Sequence, residues 1–124
     1  MSMEITGIDH VVVRVTSLDR SIQFYCEVLG CKLEWRRDDL ALAHVRVGTS
    51  FVDLQKGQPL PTGADHNMDH LCLTVAGFNL EQVRNHLIRH NVEIGTAGER
   101  FGASGWGQSL YITDPDGNGL ELRG

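Results

Sequence analysis

Short segments in which apolar and polar residues alternate recur along this chain, and a period of two predicts β-strands. The first segment covers about residues 8–15 and places Val13 with two other valines on one face. The opposite face carries His10 and Arg14. One face of this strand is therefore expected to pack on a core, while the other presents polar side chains.

Helical spacing follows the first strand. Ile22, Tyr25 and Leu29 predict a helix over about residues 18–29, with Gly30 as its left-handed end. Three strand-like runs come next: KLEWRR, LALAHVRV and FVDLQ.

The second half of the chain repeats this order. DHLCLTV predicts a strand, and the helix after it begins at Asn79 and buries Leu80, Val83 and Leu87. The runs VEIGTA, SLYIT and LEL predict three closing strands, with DPDGNG as a tight turn. Residues 95–108 hold five glycines and are expected to form a loop over a pocket.

Each half therefore has a strand, a helix and three strands, which indicates a duplicated unit. The expected fold class is α+β, a single domain over residues 1–124 built from two modules. The first module covers about residues 5–57 and the second about 68–124, and a linker with two prolines covers about 58–67.

The dipeptide Asp-His opens the first strand of each half, at His10 and at His70. Each half also ends in a strand with a central carboxylate, Asp53 in FVDLQ and Glu121 in GLELR. Two neutral imidazoles with one or two carboxylates suit Fe(II), Mn(II), Ni(II), Co(II) or Zn(II). If these side chains meet at one point, the chain is a metalloprotein. Alternation alone would also place polar residues at both carboxylate positions, on the wet face of a sheet.

Composition narrows the function classes. Hydrophobic residues make up 41% of the chain and charged residues 22%, which is ordinary for a soluble globular protein. The net charge of −5 argues against nucleic acid as a partner, and no apolar run is long enough to span a membrane. The N-terminal sequence lacks a signal-peptide pattern, and the three cysteines form no Cys-x-x-Cys pair. We therefore expect a cytoplasmic protein.

Two longer segments resemble the vicinal oxygen chelate superfamily. GIDHVVVRVTSLDRSIQFYCEVLGCKL resembles its opening strand and helix, and DPDGNGLEL resembles its closing turn and strand. Members include glyoxalase I, extradiol ring-cleaving dioxygenases, fosfomycin-resistance proteins and bleomycin-binding proteins. The stretch RFGASGWGQSLYITDPDGN is more similar to glyoxalase-domain proteins of unassigned substrate than to glyoxalase I. The resemblance covers nearly the whole chain and implies two βαβββ modules whose mixed sheets curl around a metal-lined cavity.

The resemblance also implies a ligand set. His10, His70 and Glu121 match the two histidines and the last-strand carboxylate that bind a divalent metal in the family. Asp53 falls where glyoxalase I-like members carry a glutamate, and this shorter side chain could bind the metal directly, through water, or not at all. Glu121 and Asp53 are the candidate proton-transfer residues.

Three further residues are candidate substrate contacts. Arg14 shares a face with His10 and could pair with an anionic substrate or form a structural ion pair. Arg100 and Trp106 lie in the glycine-rich segment, where exposure without a role is an equal alternative.

Three functions agree with these residues. The first is a lyase or isomerase of the glyoxalase I-like type, acting on a small oxygenated metabolite bound to a divalent metal. The second is an extradiol-type dioxygenase or a fosfomycin-resistance-type thiol transferase on the same site. The third is a metal-free small-molecule binding module, against which the matched histidines argue. The resemblance further implies a homodimer, for which open strand edges would supply pairing surfaces.

Overall fold

The computed structural model describes residues 2–58 and 65–124 of the chain. The chain divides into two compact units, Met1–Pro59 and Leu60–Gly124. The predicted linker, about residues 58–67, lies largely outside the described residues.

The first unit is a four-stranded mixed sheet with one helix. Its elements are β1 (His10–Val15), α1 (Leu18–Gln23), β2 (Lys32–Arg37), β3 (Leu42–Val47) and β4 (Ser50–Lys56). The strand order is β1-β4-β3-β2, in which β1 runs parallel to β4 and the other neighbours are antiparallel. The helix packs against β3 and β4. Val13 and Val15 of β1 are buried as predicted, whereas Val12 on the opposite face is half exposed.

The predicted helix over residues 18–29 is α-helical only as far as Gln23. The side chain of Ser17 caps its start, and a π-helical turn, Phe24–Val28, continues it. The wider turn buries two consecutive aromatic residues, Phe24 and Tyr25, in edge-to-face contact with ring centroids 5.3 Å apart.

The second unit repeats the arrangement. Its elements are β5 (Leu71–Thr74), α2 (Leu80–Arg89), β6 (Ala97–Gly102), β7 (Gly105–Thr113) and β8 (Gly119–Arg123). The order is β5-β8-β7-β6, with β5 parallel to β8. Asn79 caps α2 by accepting a 3.0 Å hydrogen bond from the Gln82 amide, and Leu87 is the buried residue of the helix. The expected α+β fold of two strand–helix–three-strand modules is confirmed.

The prediction of a loop over residues 95–108 is wrong. This segment forms the hairpin of β6 and β7, and the strand expected at VEIGTA begins only at Ala97. In the sequence, the glycines of this segment suggested a loop. Three of them are instead strand residues whose missing side chains leave room for an arginine: Gly98, Gly102 and Gly107. In the described part of the chain, no helix is long and apolar enough to cross a membrane.

Candidate functional site

The two Asp-His dipeptides form the same local contact in both units. His10 Nδ1 lies 2.7 Å from Asp9 Oδ2, and His70 Nδ1 lies 2.6 Å from Asp69 Oδ2. Metal-binding histidines commonly hold their second ring nitrogen against a carboxylate in this way, which fixes the ring and its tautomer. In both units the arrangement leaves Nε2 as the atom suited to a metal.

His70 also contacts the carboxylate of the last strand. The parallel register of β5 and β8 pairs Leu71 with Leu120, so that His70 and Glu121 lie close together. The distance from His70 Nε2 to Glu121 Oε1 is 3.0 Å. Both ring nitrogens thus face carboxylate oxygens, and only the protonated ring can donate to both. The hydrogen bond to Asp69 raises the pKa of His70, burial opposes this, and the contact with Glu121 raises it further.

The carboxylate of Glu121 is almost fully buried and has several donors. Ser109 Oγ donates to Oε2 over 2.5 Å. Burial by itself would raise the pKa of Glu121, but hydrogen bonds from Ser109, Tyr111, His70 and Cys72 together lower it. Glu121 is therefore an ionised and fixed carboxylate at neutral pH, as a metal ligand must be.

Cys72 and Tyr111, which also donate to Glu121, stay protonated at neutral pH. Burial, and next the charge of Glu121, raise the pKa of Cys72 to about 11. Burial also raises the pKa of Tyr111, with the hydrogen bond to Glu121 acting in the same direction. The Tyr111 ring packs edge-to-face on His70, with centroids 5.3 Å apart. Both side chains therefore act as donors that hold the carboxylate in place.

In the first unit the buried carboxylate is Asp53, and its partner is His44. The antiparallel register of β3 and β4 places the two residues opposite each other, and His44 Nδ1 lies 2.8 Å from Asp53 Oδ1. The His44 ring lies between Phe51 and Trp35, at centroid distances of 5.4 and 6.0 Å. The pKa of His10 is raised, first by its hydrogen bond to Asp9 and to a smaller extent by the charge of Asp53. Asp53 thus acts on His10 electrostatically while it is hydrogen-bonded to His44.

The two units use equivalent positions differently. His44 is the register partner of Asp53 in the first unit, and Tyr111 is that of Glu121 in the second. The imidazole of His44 engages its carboxylate in a 2.8 Å contact, and the phenol of Tyr111 donates to the other carboxylate. This position therefore holds an imidazole in the first unit and a phenol in the second.

The donor pair in the second unit suits a metal ion. Among the described residues, no group of three or more His, Cys, Asp or Glu side chains is gathered in a metal-binding arrangement. The structure does bring His70 and Glu121 together, and their ligand atoms lie 3.0 Å apart. An imidazole nitrogen and a carboxylate oxygen are donor types that divalent transition metals accept. The second unit thus supplies two neighbouring ligands of compatible type.

The candidate substrate residues have different placements. Arg14 follows His10 on the same face of β1 and its side chain passes close to Gly57. Arg100 belongs to β6, with its guanidinium 5.6 Å from the centre of the Tyr111 ring. Trp106 is 71% exposed, and strand alternation places it on the face of β7 opposite Ser109.

The sequence prediction missed the roles of Asp9, Asp69, His44 and Ser109. The repeated Asp-His dipeptide was the sequence signal that could have identified Asp9 and Asp69. Gly48 marked a two-residue hairpin turn, which fixes the β3–β4 register and so pairs His44 with Asp53. No sequence signal identified Ser109, because its contact with Glu121 depends on the packing of the β7–β8 pair.

Known proteins match the chain over almost its full length. Residues 7–122 match the family model described as the Glyoxalase/Bleomycin resistance protein/Dioxygenase superfamily. The metallothiol transferase FosB of Staphylococcus epidermidis is 30% identical over 122 residues, which cover 97% of this chain and 82% of that protein.

Two further relatives differ in how much of their own length this chain covers. A catechol-2,3-dioxygenase of Bacillus subtilis is 29% identical over 96% of this chain, which spans only 41% of that protein. The crystal structure of virulence protein STM3117 from Salmonella typhimurium matches this chain with a TM-score of 0.78 at 28% identity. The match covers 98% of each chain.

Proposed function

The chain belongs to the Glyoxalase/Bleomycin resistance protein/Dioxygenase superfamily. From that premise we propose that it is a metal-dependent enzyme of the glyoxalase I-like type, a lyase or isomerase that acts on a small oxygenated metabolite. Named relatives in the superfamily include a dioxygenase and metallothiol transferases.

His10, His70 and Glu121 would hold the divalent metal, which could be Ni, Zn, Mn, Fe or Co. The observation that carries this proposal is the contact between His70 Nε2 and Glu121 Oε1, with Asp69 fixing the ring from behind. His10 has the same contact with its preceding aspartate, which supports an equivalent role. When bound, the metal would act as a Lewis acid toward neighbouring substrate oxygens.

Asp53 would take the proton from the carbon next to the substrate carbonyl. Its contact with His44 suits this role, because the imidazole orients the carboxylate and leaves the oxygen Oδ2 for the substrate proton. Glu121 is the poorer base, since its pKa is lowered and its oxygens are engaged by His70 and Ser109. We therefore assign Glu121 to the metal, Asp53 to proton transfer, and His44 to positioning Asp53.

A thiol transferase is the second candidate. The similarity to the metallothiol transferase FosB over 82% of that protein favours it. The same three ligands would serve, and the reaction would open an epoxide with a thiol. Asp53 would then deprotonate the attacking thiol in place of a carbon.

Product analysis separates these reactions. The metal-free chain is loaded with one divalent metal at a time and supplied with small 2-hydroxy carbonyl compounds in D₂O, with an epoxide and a thiol, or with a catechol in air. We expect metal-dependent exchange of the proton next to the carbonyl, which Asp53→Asn abolishes. Thiol or oxygen consumption without any exchange would contradict the lyase or isomerase assignment.

We also propose a homodimer. The edge strands are β1 and β2 in the first unit and β5 and β6 in the second, and each offers backbone groups for pairing. Light scattering on the purified chain is expected to give twice the monomer mass, and a mass of 13.7 kDa would contradict the assignment.

A further inference from the structure

Two histidines lie one turn apart at the C-terminal end of α2. His86 belongs to the last turn of the helix, and His90 is the residue that caps it. Residues four positions apart are neighbours on a helix surface, so both rings project from one face. The ring centroids are 4.6 Å apart and the ring planes are inclined by 51°. The second unit therefore carries two adjacent imidazoles that the proposed catalytic centre does not use.

The backbone holds this pair in a fixed position. The His90 amide donates to the carbonyl oxygens of His86 and Leu87, over 3.3 and 3.1 Å. The helix then ends at Asn91, whose φ of +59° is left-handed, and the Val92 amide donates to the Leu87 carbonyl over 2.9 Å. Leu87 is only 1% exposed and anchors this turn. Both imidazoles are thus attached to ordered backbone, which lowers the entropy cost of binding an ion between them.

The end of the helix is accessible and favours a cation. His90 is exposed and His86 is half-buried, so an ion can reach the pair from solvent. The C-terminal end of an α-helix carries partial negative charge, which stabilises a nearby cation. The chain as a whole has a net charge of −5. Arg89 lies in the same turn and opposes binding, but it precedes His90 by one position and so projects about 100° away around the helix.

We propose that His86 and His90 form a surface site for a transition-metal ion, and that Cu(II) is the ion that suits this site best. Imidazole is the commonest metal ligand among side chains, and two histidines at this spacing on a helix bind one zinc ion in the His-Glu-x-x-His motif. Cu(II) has the highest affinity among the divalent first-row ions and accepts nitrogen and oxygen ligands in a square plane. The two imidazoles would occupy adjacent corners of that plane, and water the other two.

The helix pair is distinct from the proposed catalytic centre in its number of ligands. Zn(II) and Mn(II) bind a given set of ligands more weakly than Cu(II) does. Both ions are therefore expected to occupy the centre of His10, His70 and Glu121 before a site with only two imidazoles. The inference does not rest on the proposed function, because the helix pair can bind Cu(II) whether or not the chain is an enzyme.

Site-resolved NMR on the full-length chain tests this proposal, with Cu(II) itself as the probe. His70→Ala is the parent sample, because it removes a ligand of the proposed catalytic centre that would otherwise compete for the ion. Cu(II) is added in substoichiometric steps, and the bound paramagnetic ion broadens the ring signals of its ligands. We expect the signals of His86 and His90 to broaden together and before those of the other histidines. Wild-type chain preloaded with Zn(II) is the second sample and should give the same pattern.

Single substitutions measure the contribution of each imidazole. His86→Asn and His90→Asn each remove one of the two ligands, and calorimetric titration measures the Cu(II) affinity in the parent chain and in each variant. The loss should be at least the 10–100-fold, as an order of magnitude, that removal of an outer-shell partner alone typically causes. His66→Asn, outside the helix, is the matched control and should bind Cu(II) as the parent chain does.

A shifted pair distinguishes chelation by two histidines from binding by one. The double change His90→Asn and Ile88→His keeps two histidines in α2 but places them two positions apart, where side chains do not face each other. Ile88 is 56% exposed, so its exchange is expected to cost little stability. This variant should bind Cu(II) as weakly as His90→Asn does, while its circular dichroism stays that of the parent chain.

Two results would overturn the inference. The first is broadening that begins at other histidines in both samples. The second is a Cu(II) affinity that stays at the parent value in either single variant or in the shifted pair. Weaker binding in all three variants, with unchanged affinity in His66→Asn, would support the surface site.

Discussion

His70 Nε2 and Glu121 Oε1 lie 3.0 Å apart across the parallel pair of β5 and β8, and Asp69 lies 2.6 Å behind the same imidazole. In the metal-free protein a proton is expected to occupy the space between the first two atoms. Without that proton, the same two atoms would be ligands for a divalent metal.

Removal of Asp69 is expected to weaken metal binding without removing a ligand. Asp69→Ala leaves the His70 ring without the carboxylate that orients it, and such losses typically cost 10–100-fold in affinity. Competition with a chelator measures the dissociation constant. Asp39→Ala, an exposed aspartate, is the matched control and is expected to bind as the wild type does. Equal affinities in both variants would show that Asp69 has no orienting role.

Removal of the Ser109 hydroxyl is expected to destabilise the fold. Ser109 is fully buried, and Ser109→Ala deprives the nearly buried Glu121 carboxylate of a donor at 2.5 Å. The expected cost is about 1–3 kcal/mol in the free energy of unfolding. Urea denaturation measures it, with Ser104→Ala on the exposed hairpin as a control that should change stability by less than about 0.5 kcal/mol. A neutral Ser109→Ala would mean that the hydroxyl does not support Glu121.

Asp53→Asn is expected to separate catalysis from metal binding. If Asp53 transfers a proton and is not a ligand, turnover falls by about 10²–10⁴-fold while metal stoichiometry is retained. His44→Gln should give a smaller loss and shift the pH profile of turnover, because it acts only through Asp53. Steady-state kinetics measure the turnover number, and elemental analysis measures the metal bound per chain. Loss of the metal in Asp53→Asn would instead identify Asp53 as a ligand.

The stability of the metal-free protein should depend on pH in two directions. The pKa of His70 is raised above 6.5, so its stabilisation is complete below pH 6.5 and is lost as the pH rises through the raised value. The pKa of Glu121 is lowered from 4.5, so its stabilisation is present above pH 4.5 and is lost as the pH falls through the lowered value. These two groups therefore favour the fold most between about pH 4.5 and 6.5.

His70→Gln tests the alkaline side of this window. Urea denaturation of the metal-free variant should show a smaller fall in unfolding free energy above pH 6.5 than the wild type does. The fall should persist in part, because the pKa of His10 is raised by its own contact with Asp9. An unchanged alkaline slope would be inconsistent with the His70 contacts described above.

The strands and helices could be predicted because their signals are local. Alternating valines mark β1, and Asn79 marks the start of α2. The β6–β7 hairpin could not be predicted from the sequence. Its glycines lie where arginine side chains cross the strands, and those contacts depend on the folded structure. Arg123 itself lies in a run that reads as an ordinary closing strand. Contacts that depend on the packing of two strands are invisible in a single sequence.

The candidate site shows the same limit. The Asp-His repeats and the central carboxylates pointed to His70 and Glu121, which the structure brings into contact. The sequence left the role of Asp53 open, and its contact with His44 became evident only from the register of β3 and β4. The residue types of the proposed metal ligands could thus be predicted. The hydrogen bonds from His44 and Ser109 to the two carboxylates could not.

Calorimetric titration of the metal-free full-length chain with Zn(II) or Mn(II) tests the central claim most directly. We predict one bound ion per chain, lost or strongly weakened in His10→Ala, His70→Ala and Glu121→Gln, and retained in the exposed control His90→Ala. Absence of binding in the wild type, or binding that survives each of the three ligand substitutions, would contradict the account.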